Sequence, residues 1–143
     1  MISSHAMRPR LHPLHAILLS FPVALFASAL VSDITYLSSA EIQWSNISQW
    51  AITGALIFGA LVLIWAVFDL VRRHKPALRD RPTIYFALLL AMWILGLVNA
   101  FKHSQDAWSS VGTVGLVLSI LCTALAFAAA WVAHSTLGAG DQA

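Results

Sequence analysis

Four long apolar stretches constrain this chain more than any other feature of its sequence. They cover approximately residues 14–36, 50–71, 84–101 and 111–133. A helix rises about 1.5 Å per residue, so about 20 residues cross the roughly 30 Å hydrocarbon core of a bilayer. Charged residues make up only 10% of the chain and its mean hydropathy is +0.80. We therefore predict an all-α integral membrane protein in which four transmembrane helices form a bundle.

The extent of these stretches limits where a functional site can lie. With their short loops they occupy nearly all of residues 1–143, so we predict a single membrane domain whose site lies between helices or at helix ends. The sequence contains no glycine-rich nucleotide loop, hydrolase elbow, zinc-protease motif or CxxC pair, which favours a non-enzymatic protein without catalytic residues. Its one cysteine, Cys122, cannot form an intramolecular disulfide bond.

The positively charged residues predict how the helices are oriented in the membrane. Seven of the eight lysine and arginine residues fall before the first stretch or between the second and third, namely Arg8, Arg10, Arg72, Arg73, Lys75, Arg79 and Arg81. Because positively charged loops stay in the cytoplasm, we expect both termini and the middle loop to be cytoplasmic. Basic residues beside membrane spans indicate contact with lipid headgroups rather than with nucleic acid.

The connections between the stretches suggest turns and loops. Residues 37–49 read as an exoplasmic loop that contains the glycosylation sequon Asn46-Ile47-Ser48. In the middle loop, Pro76 and Pro82 favour a short stiff turn over continued helix.

The N-terminus allows two interpretations. Arg8 and Arg10, the apolar run that follows them and Ala27-Ser28-Ala29 together resemble a secretory signal peptide. However, the apolar run continues past that cleavage site to Tyr36, which is long enough to cross the bilayer. We therefore expect a retained first helix.

Small residues recur at four-residue spacing within the apolar stretches. Helices in lipid associate through close backbone contact and polar bridges, because lipid supplies no hydrophobic force that brings them together. The clearest stripes are Ala51, Ala55 and Gly59 in the second stretch and Gly115, Ser119 and Thr123 in the fourth. We interpret these stripes as packing surfaces that favour a compact bundle over four loosely tethered helices.

Polar residues near one end of the stretches form the first candidate site. Asp33 lies inside the first stretch, and no basic residue of the same helix is near it. Asn99 and His103 are four residues apart, so they share a helix face at a similar depth to Asp33. We predict a polar Asp33–Asn99–His103 cluster at the exoplasmic edge. It would be either a binding or proton-entry site or a set of interhelical hydrogen bonds.

A second ionisable residue, Asp69, falls at the cytoplasmic end of the second stretch. Its carboxylate would either carry protons or orient a histidine, or it would pair with Arg72 or Arg73, which follow it by three and four residues. We favour the ion pair.

Histidines gather at the predicted cytoplasmic ends of the helices. His12 and His15 open the first helix and His134 ends the fourth, whereas His103 falls at the opposite side. Neutral imidazole can ligate haem iron, and two axial ligands usually come from different helices. His15 and His134 are therefore the candidate haem pair. The alternative is that these histidines cap helices among the lipid headgroups.

Part of this pattern resembles an uncharacterised bacterial membrane family, domain of unknown function 2231. The residues that carry the resemblance in the first helix are His12-Pro13-Leu14-His15, Phe21-Pro22 and Asp33. The second helix, with Gly54, Gly59 and Asp69, and the Leu118-Ser119 pair of the fourth helix fit the same pattern. The resemblance extends from about Leu11 to His134 and implies a small four-helix, multi-pass protein of the bacterial inner membrane.

The resemblance also implies a setting. Some relatives are joined to Rieske iron–sulfur or cytochrome c domains, which places the family near membrane electron transfer. The leading hypothesis is therefore an accessory or anchor subunit beside a redox system that binds haem b or quinone, with His15 the first ligand to test.

Two alternatives to the redox hypothesis stay open. One is a small proton- or ion-handling transport protein in which Asp33 and Asn99 line a path, and the other is a scaffold that only packs against other helices. For all three hypotheses the expected partners are the lipid bilayer and either another membrane protein or a second copy of the chain.

Overall fold

The computed structural model describes residues 11–72, 80–104 and 111–135. In these segments the chain forms four helices and no strand: α1 (Pro13–Ser39), α2 (Ile42–Val71), α3 (Arg81–His103) and α4 (Thr113–Ser135). Each helix is long and apolar enough to cross a membrane. The prediction of four helices of membrane-spanning length is confirmed.

The limits of α1 follow from local chemistry. Pro13 occupies the first turn, where its missing N–H costs no hydrogen bond, and the Nδ1 atom of His12 accepts a hydrogen bond of 3.3 Å from the Leu14 N–H. The helix ends at Ser39, and the next residue, Ala40, has a left-handed backbone with φ of 57°. The Ala40 N–H donates to the carbonyl oxygen of Tyr36 at 2.7 Å, which satisfies one of the last free carbonyl groups.

The loop predicted over residues 37–49 is wrong for most of its length, because α2 begins at Ile42. No proline or glycine interrupts this segment, and the left-handed Ala40 reverses the chain within a few residues. Ser45 and Ser48 face the bundle interior and are buried. The sequon at Asn46 therefore lies on a helix rather than in a loop.

The start of α3 corrects a second expectation. Pro82 lies inside the first turn of this helix, where proline is tolerated, instead of in the preceding turn. Pro76 and the charged residues Arg73, Lys75 and Arg79 of the middle loop lie outside the described residues, as do Arg8 and Arg10.

The four helices pack as a square in which consecutive helices are neighbours and α4 closes the ring against α1. Consequently α1 and α3 are parallel and lie diagonally opposite each other. We call the end where α1 turns into α2 the hairpin end. The opposite end, where α1 and α3 begin, is called the terminal end. There the Arg81 guanidinium donates to the carbonyl oxygen of Ser135 at 3.2 Å.

The middle of the bundle is filled by apolar side chains. Its fully buried residues include Leu19, Phe26, Ile52, Val62, Leu89 and Met92. The ring of Phe26 reaches α3 at Gly96, where a Cβ atom would lie only 2.8 Å from the Phe26 Cζ atom. The predicted small-residue stripe of Ala51, Ala55 and Gly59 is also buried. Large apolar residues such as Trp50 and Trp131 are exposed on the outside, as expected for a surface that contacts lipid.

Candidate functional site

Four polar side chains meet inside the bundle near the hairpin end. Asp33 comes from α1, Asn99 and His103 come from α3, and Ser119 comes from α4. Each of the four has 0% of its surface exposed. We call these residues the Asp33 cluster. Burying polar groups among apolar helices is unfavourable unless they are hydrogen-bonded, so their partners decide what the cluster can do.

Hydrogen bonds join the four residues in a chain. The His103 Nε2 atom lies 2.9 Å from the Asp33 Oδ1 atom, and the Ser119 hydroxyl donates to the Asp33 Oδ2 atom at 2.5 Å. The Asn99 Nδ2 atom donates to the Ser119 Oγ atom at 2.9 Å. On the far side of the imidazole, the His103 Nδ1 atom lies 3.0 Å from the main-chain oxygen of Asn99. The Asp33–His103 contact therefore spans the diagonal of the bundle.

The donor and acceptor roles in these hydrogen bonds determine the position of every shared hydrogen atom in the cluster except one. A carbonyl oxygen only accepts, so the His103 Nδ1 atom carries a hydrogen that it donates to Asn99. The Ser119 hydroxyl accepts from Asn99 and donates its own hydrogen to Asp33. The remaining hydrogen lies between the His103 Nε2 and Asp33 Oδ1 atoms. Whichever of these two atoms holds it, the Asp33–His103 pair has no net charge.

Removing that hydrogen changes the cluster sharply. The lone pair of the His103 Nε2 atom would then face a carboxylate oxygen of Asp33, and a 2.9 Å attraction would become a repulsion. One uncompensated negative charge would also remain among apolar helices, which is strongly unfavourable. Loss of the proton is therefore coupled to opening of the contact between α1 and α3 or to entry of a compensating charge.

Neighbouring residues hold the imidazole of His103 in place. Gly115 of α4 lies against the ring, because a Cβ atom there would be 3.2 Å from the His103 Cε1 atom. The side-chain amide of Gln49 donates to the main-chain oxygen of His103 at 2.8 Å. One turn deeper, the Thr123 hydroxyl lies 3.1 Å from the main-chain oxygen of Phe26 and 2.7 Å from that of Ser119. All four helices therefore contribute to this end of the bundle.

Two buried side-chain oxygen atoms at the hairpin end are available for a further hydrogen bond. Among the described residues, neither the Asn99 Oδ1 atom nor the Ser48 Oγ atom has a hydrogen-bond partner. The Asn99 side chain belongs to the Asp33 cluster through its Nδ2 atom, so its free acceptor lies within that cluster. The cluster thus retains an acceptor that a water molecule or another donor can use.

A second group of polar and aromatic side chains lies at the terminal end. The His15 Nε2 atom is 2.7 Å from the Tyr85 hydroxyl oxygen, and the edge of the His15 ring contacts Trp65 with ring centroids 5.2 Å apart. The ring of His12 lies on another part of Trp65, with centroids 5.4 Å apart. We call His12, His15, Trp65 and Tyr85 the His15 cluster. His15 is 2% exposed, so its imidazole is enclosed.

The structure places the predicted site residues in two separate groups. It brings Asp33, Asn99 and His103 together at the hairpin end. Asp69 lies at the other end of the bundle, near His15, on which its charge acts together with His12 and His134. The predicted ion pair between Asp69 and Arg72 is absent from the described residues, and Arg73 lies outside them.

The histidines offered as haem ligands are engaged in other contacts. His15 directs its Nε2 atom at Tyr85, and the exposed His134 directs its Nδ1 atom at the carbonyl oxygen of Ala130, 2.7 Å away. His12 caps α1 with its Nδ1 atom. An iron ligated by His15 through Nε2 would have to displace the Tyr85 hydroxyl from that nitrogen. Within the described ranges, no three His, Cys, Asp or Glu residues are grouped so that they could hold a metal ion.

Three members of the clusters are not predicted from the sequence as site residues. Ser119 is assigned to a packing stripe, although that stripe faces Asp33, and no prediction is made for Trp65 or Tyr85. The interval from Tyr85 to His103 nevertheless equals the interval from His15 to Asp33. This interval corresponds to about five whole helical turns, so equal intervals on two parallel helices indicate two matched contacts. The sequence itself contains that signal.

A comparison with models of protein families identifies the family of this chain. The model of a family described as predicted membrane protein (DUF2231) matches residues 11–138. The chain belongs to this family. Membership in DUF2231 agrees with four helices of membrane-spanning length, and the protein is a multi-pass membrane protein in contact with the lipid bilayer. No curated protein and no solved structure matches the chain.

Proposed function

We propose that this DUF2231 protein handles protons, and that the Asp33–His103 pair is the group that takes up and releases the proton. The observation that carries the proposal is the 2.9 Å contact between the His103 Nε2 and Asp33 Oδ1 atoms inside an apolar bundle, which is attractive only if the two atoms share a hydrogen. Ionisable pairs of this kind are costly within a membrane and often mark proton relays.

The surroundings of the pair support a proton-binding role over a purely structural one. A structural hydrogen bond between helices needs no ionisable group, since serine, threonine and asparagine supply such bonds throughout membrane proteins. Here an acid and an imidazole face each other with 0% exposure. Ser119 and the Asn99 main chain supply hydrogen bonds that support either location of the shared proton.

The proposed orientation determines which side of the membrane the Asp33 cluster faces. With the lysine- and arginine-rich segments in the cytoplasm of a bacterial inner membrane, the hairpin end faces outward. The Asp33 cluster then lies close to the exoplasmic surface and exchanges its proton with that side. Accessibility of cysteines introduced at Glu41 and at Arg81 to an impermeant thiol reagent, in a Cys122→Ala background, tests this orientation.

Proton flux into proteoliposomes tests the proposed function. In wild-type vesicles we expect an imposed potential to drive proton flux above the rate of protein-free vesicles. In the Asp33→Asn variant we expect flux to return to that background rate, because the amide cannot exchange the shared proton. Glu41→Gln is the matched control, since Glu41 is an exposed carboxylate with no side-chain capping bond. Equal flux from the wild type and a correctly folded Asp33→Asn variant would sink the proposal.

An accessory role beside a membrane electron-transfer system is the second candidate. It is favoured by the gathering of His12, His15, Trp65 and Tyr85 at the terminal end, where a quinone headgroup could accept a hydrogen bond from Tyr85. Reduced-minus-oxidised visible spectra and quinone extraction of the purified protein test this role. Stoichiometric haem b or quinone that is lost in His15→Ala would support it. If the protein carries neither and conducts no protons, a helix-packing scaffold remains.

A further inference from the structure

We infer that the His15–Tyr85 contact is a second proton-binding station, which exchanges protons with the membrane face opposite to that served by the Asp33 cluster. This inference rests on the proposed proton-handling function and extends it to the other end of the bundle. The starting observation is that both contacts join the same two diagonal helices, α1 and α3, and that each pair spans 70 residues of sequence.

The matched spacing makes the two contacts equivalent in geometry. His15 precedes Asp33 in α1 by the same interval that separates Tyr85 from His103 in α3. About five helical turns on each helix place the contacts about 27 Å apart along the bundle, which is close to the thickness of the hydrocarbon core. One imidazole therefore lies near each face, and each has an oxygen partner on the diagonal helix.

The chemistry of the terminal-end contact suits a proton station. An imidazole accepts and loses a proton near neutral pH, and a tyrosine hydroxyl can act as donor or acceptor toward it. The Tyr85 hydroxyl can therefore remain bonded to the His15 Nε2 atom in both protonation states, donating to the neutral ring and accepting from the charged one. The Asp33–His103 contact lacks this freedom because a carboxylate cannot donate.

Charged and titratable groups from every helix surround His15. His12 lies on the same helix, Asp69 comes from α2 and His134 from α4, and all three act on the charge of His15. Tyr85 is the group that α3 contributes. Asp69 is the compensating negative charge for a protonated His15, whereas His12 and His134 oppose its protonation when they are charged themselves.

The apolar middle of the bundle keeps the two stations separate. Leu19 and Phe26 of α1 and Leu89 and Met92 of α3 are buried between them. The Phe26 ring lies over Gly96, which closes the diagonal between the helices. No hydrogen-bonded path joins the stations through the described residues, so a proton passes between them only when this apolar segment rearranges.

The experiment is a pH titration of the histidine ring nitrogens by ¹⁵N NMR, using the full-length protein in lipid nanodiscs. The His15 signals are identified by their loss in His15→Gln. In a titration from about pH 4 to pH 9 we expect them to change in a single step, because imidazole is the side chain that gains and loses a proton closest to neutral pH. We expect Tyr85→Phe to move the midpoint of this step, because the hydroxyl forms a stronger hydrogen bond with the charged ring than with the neutral one. Tyr36→Phe is the control, and it should leave the midpoint unchanged.

The outcomes separate this inference from the proposed function. If His15 keeps one protonation state throughout the range, the second station does not exist, whatever the flux. If His15 titrates but its midpoint ignores Tyr85→Phe, the contact is not the station and the inference is equally overturned. In proteoliposomes, Tyr85→Phe should lower the proton flux while Tyr36→Phe does not. A wild type without any flux would remove the proposed function, and the titration of His15 would still decide whether this contact binds a proton.

Discussion

The Asp33 cluster and the His15 cluster join the same two helices but differ in charge and in enclosure. At the hairpin end a carboxylate faces an imidazole, and all four cluster members have 0% exposure. At the terminal end an imidazole faces a neutral hydroxyl, and the exposed His12 forms part of the surrounding wall. The same residue interval along α1 and α3 thus produces two contacts of different chemistry. Only the Asp33–His103 contact depends on a shared proton to remain intact.

This difference predicts which end tolerates change. Removing a partner from the Asp33 cluster leaves buried polar groups without hydrogen bonds in an apolar bundle. The cost of their desolvation is then uncompensated. Removing the Tyr85 hydroxyl takes away one neutral hydrogen-bond partner of the His15 imidazole and leaves no buried carboxylate unpaired. Four substitutions test the comparison, from the largest expected effect to the smallest.

The largest effect is expected for Asp33→Ala. It leaves the His103 Nε2 atom and the Ser119 hydroxyl without their partner, and we expect the free energy of unfolding to fall by about 2–4 kcal/mol. Unfolding in mixed micelles of increasing SDS content measures this change. Asp33→Asn should cost less, since its amide oxygen still accepts from Ser119. A loss below that of Tyr85→Phe would contradict the contrast between the two ends.

The next effect is expected for Gly115→Ala. The added Cβ atom would lie 3.2 Å from the rigid His103 ring, so the imidazole must shift away from α4 and its bond to Asp33 lengthens. We expect a loss of about 1–3 kcal/mol in the same unfolding assay, as for other overpacked sites. Gly59→Ala is the matched control, because its Cβ atom would meet the flexible end of Met92 at 3.4 Å. Equal losses for the two variants would show that the His103 ring is not held by α4.

A smaller effect is expected for Tyr85→Phe. The substitution keeps the aromatic ring that packs against His15 and removes one hydrogen bond, which contributes about 1 kcal/mol. SDS unfolding of this variant and of Tyr36→Phe gives the comparison. If Tyr85→Phe lowers the free energy of unfolding as much as Asp33→Ala does, the two clusters do not differ in how well they tolerate loss of a hydrogen-bond partner.

The smallest effect is expected for Ala40→Gly, which lies outside both clusters. Ala40 has φ of 57°, a conformation that glycine adopts more readily than other residues. We expect a gain of at most about 1 kcal/mol, because glycine also adds freedom to the unfolded chain. Stability by SDS unfolding should rise while the ¹⁵N signals of His103 and His15 stay unchanged. A destabilised variant would mean that the turn needs the alanine side chain.

The sequence predicts the helices of this protein better than their connections. Apolar length alone gives four spans, because the bilayer imposes one thickness on all of them. The start of α2 at Ile42 could not be read from hydropathy, since Gln43, Ser45 and Ser48 are polar although two of them face the interior. Polar residues end a hydropathy segment without ending a helix.

The candidate site was predictable only in part. Depth and helix face, which both follow from sequence position, place Asp33, Asn99 and His103 together. Which helices lie diagonally opposite and how each one is rotated depend on packing of the whole bundle, so the partnership of Ser119 could not be derived from single helices. The partnership of Tyr85 could be found only by comparing the residue intervals on α1 and α3. The haem interpretation rests on the number of histidines and on the setting of the family. Neither of these shows that α3 brings the Tyr85 hydroxyl to the His15 Nε2 atom.

The most direct test is the protonation of His103 itself, followed by ring ¹⁵N NMR of the full-length protein with signals identified through His103→Gln. We expect the Nδ1 atom to carry a hydrogen at every pH. We also expect the Nε2 signal to report one hydrogen shared with Asp33, lost in a single step on alkalisation and altered by Asp33→Asn. A His103 ring with a bare Nδ1 atom, or Nε2 signals that Asp33→Asn leaves unchanged, would contradict a shared proton at the centre of this bundle.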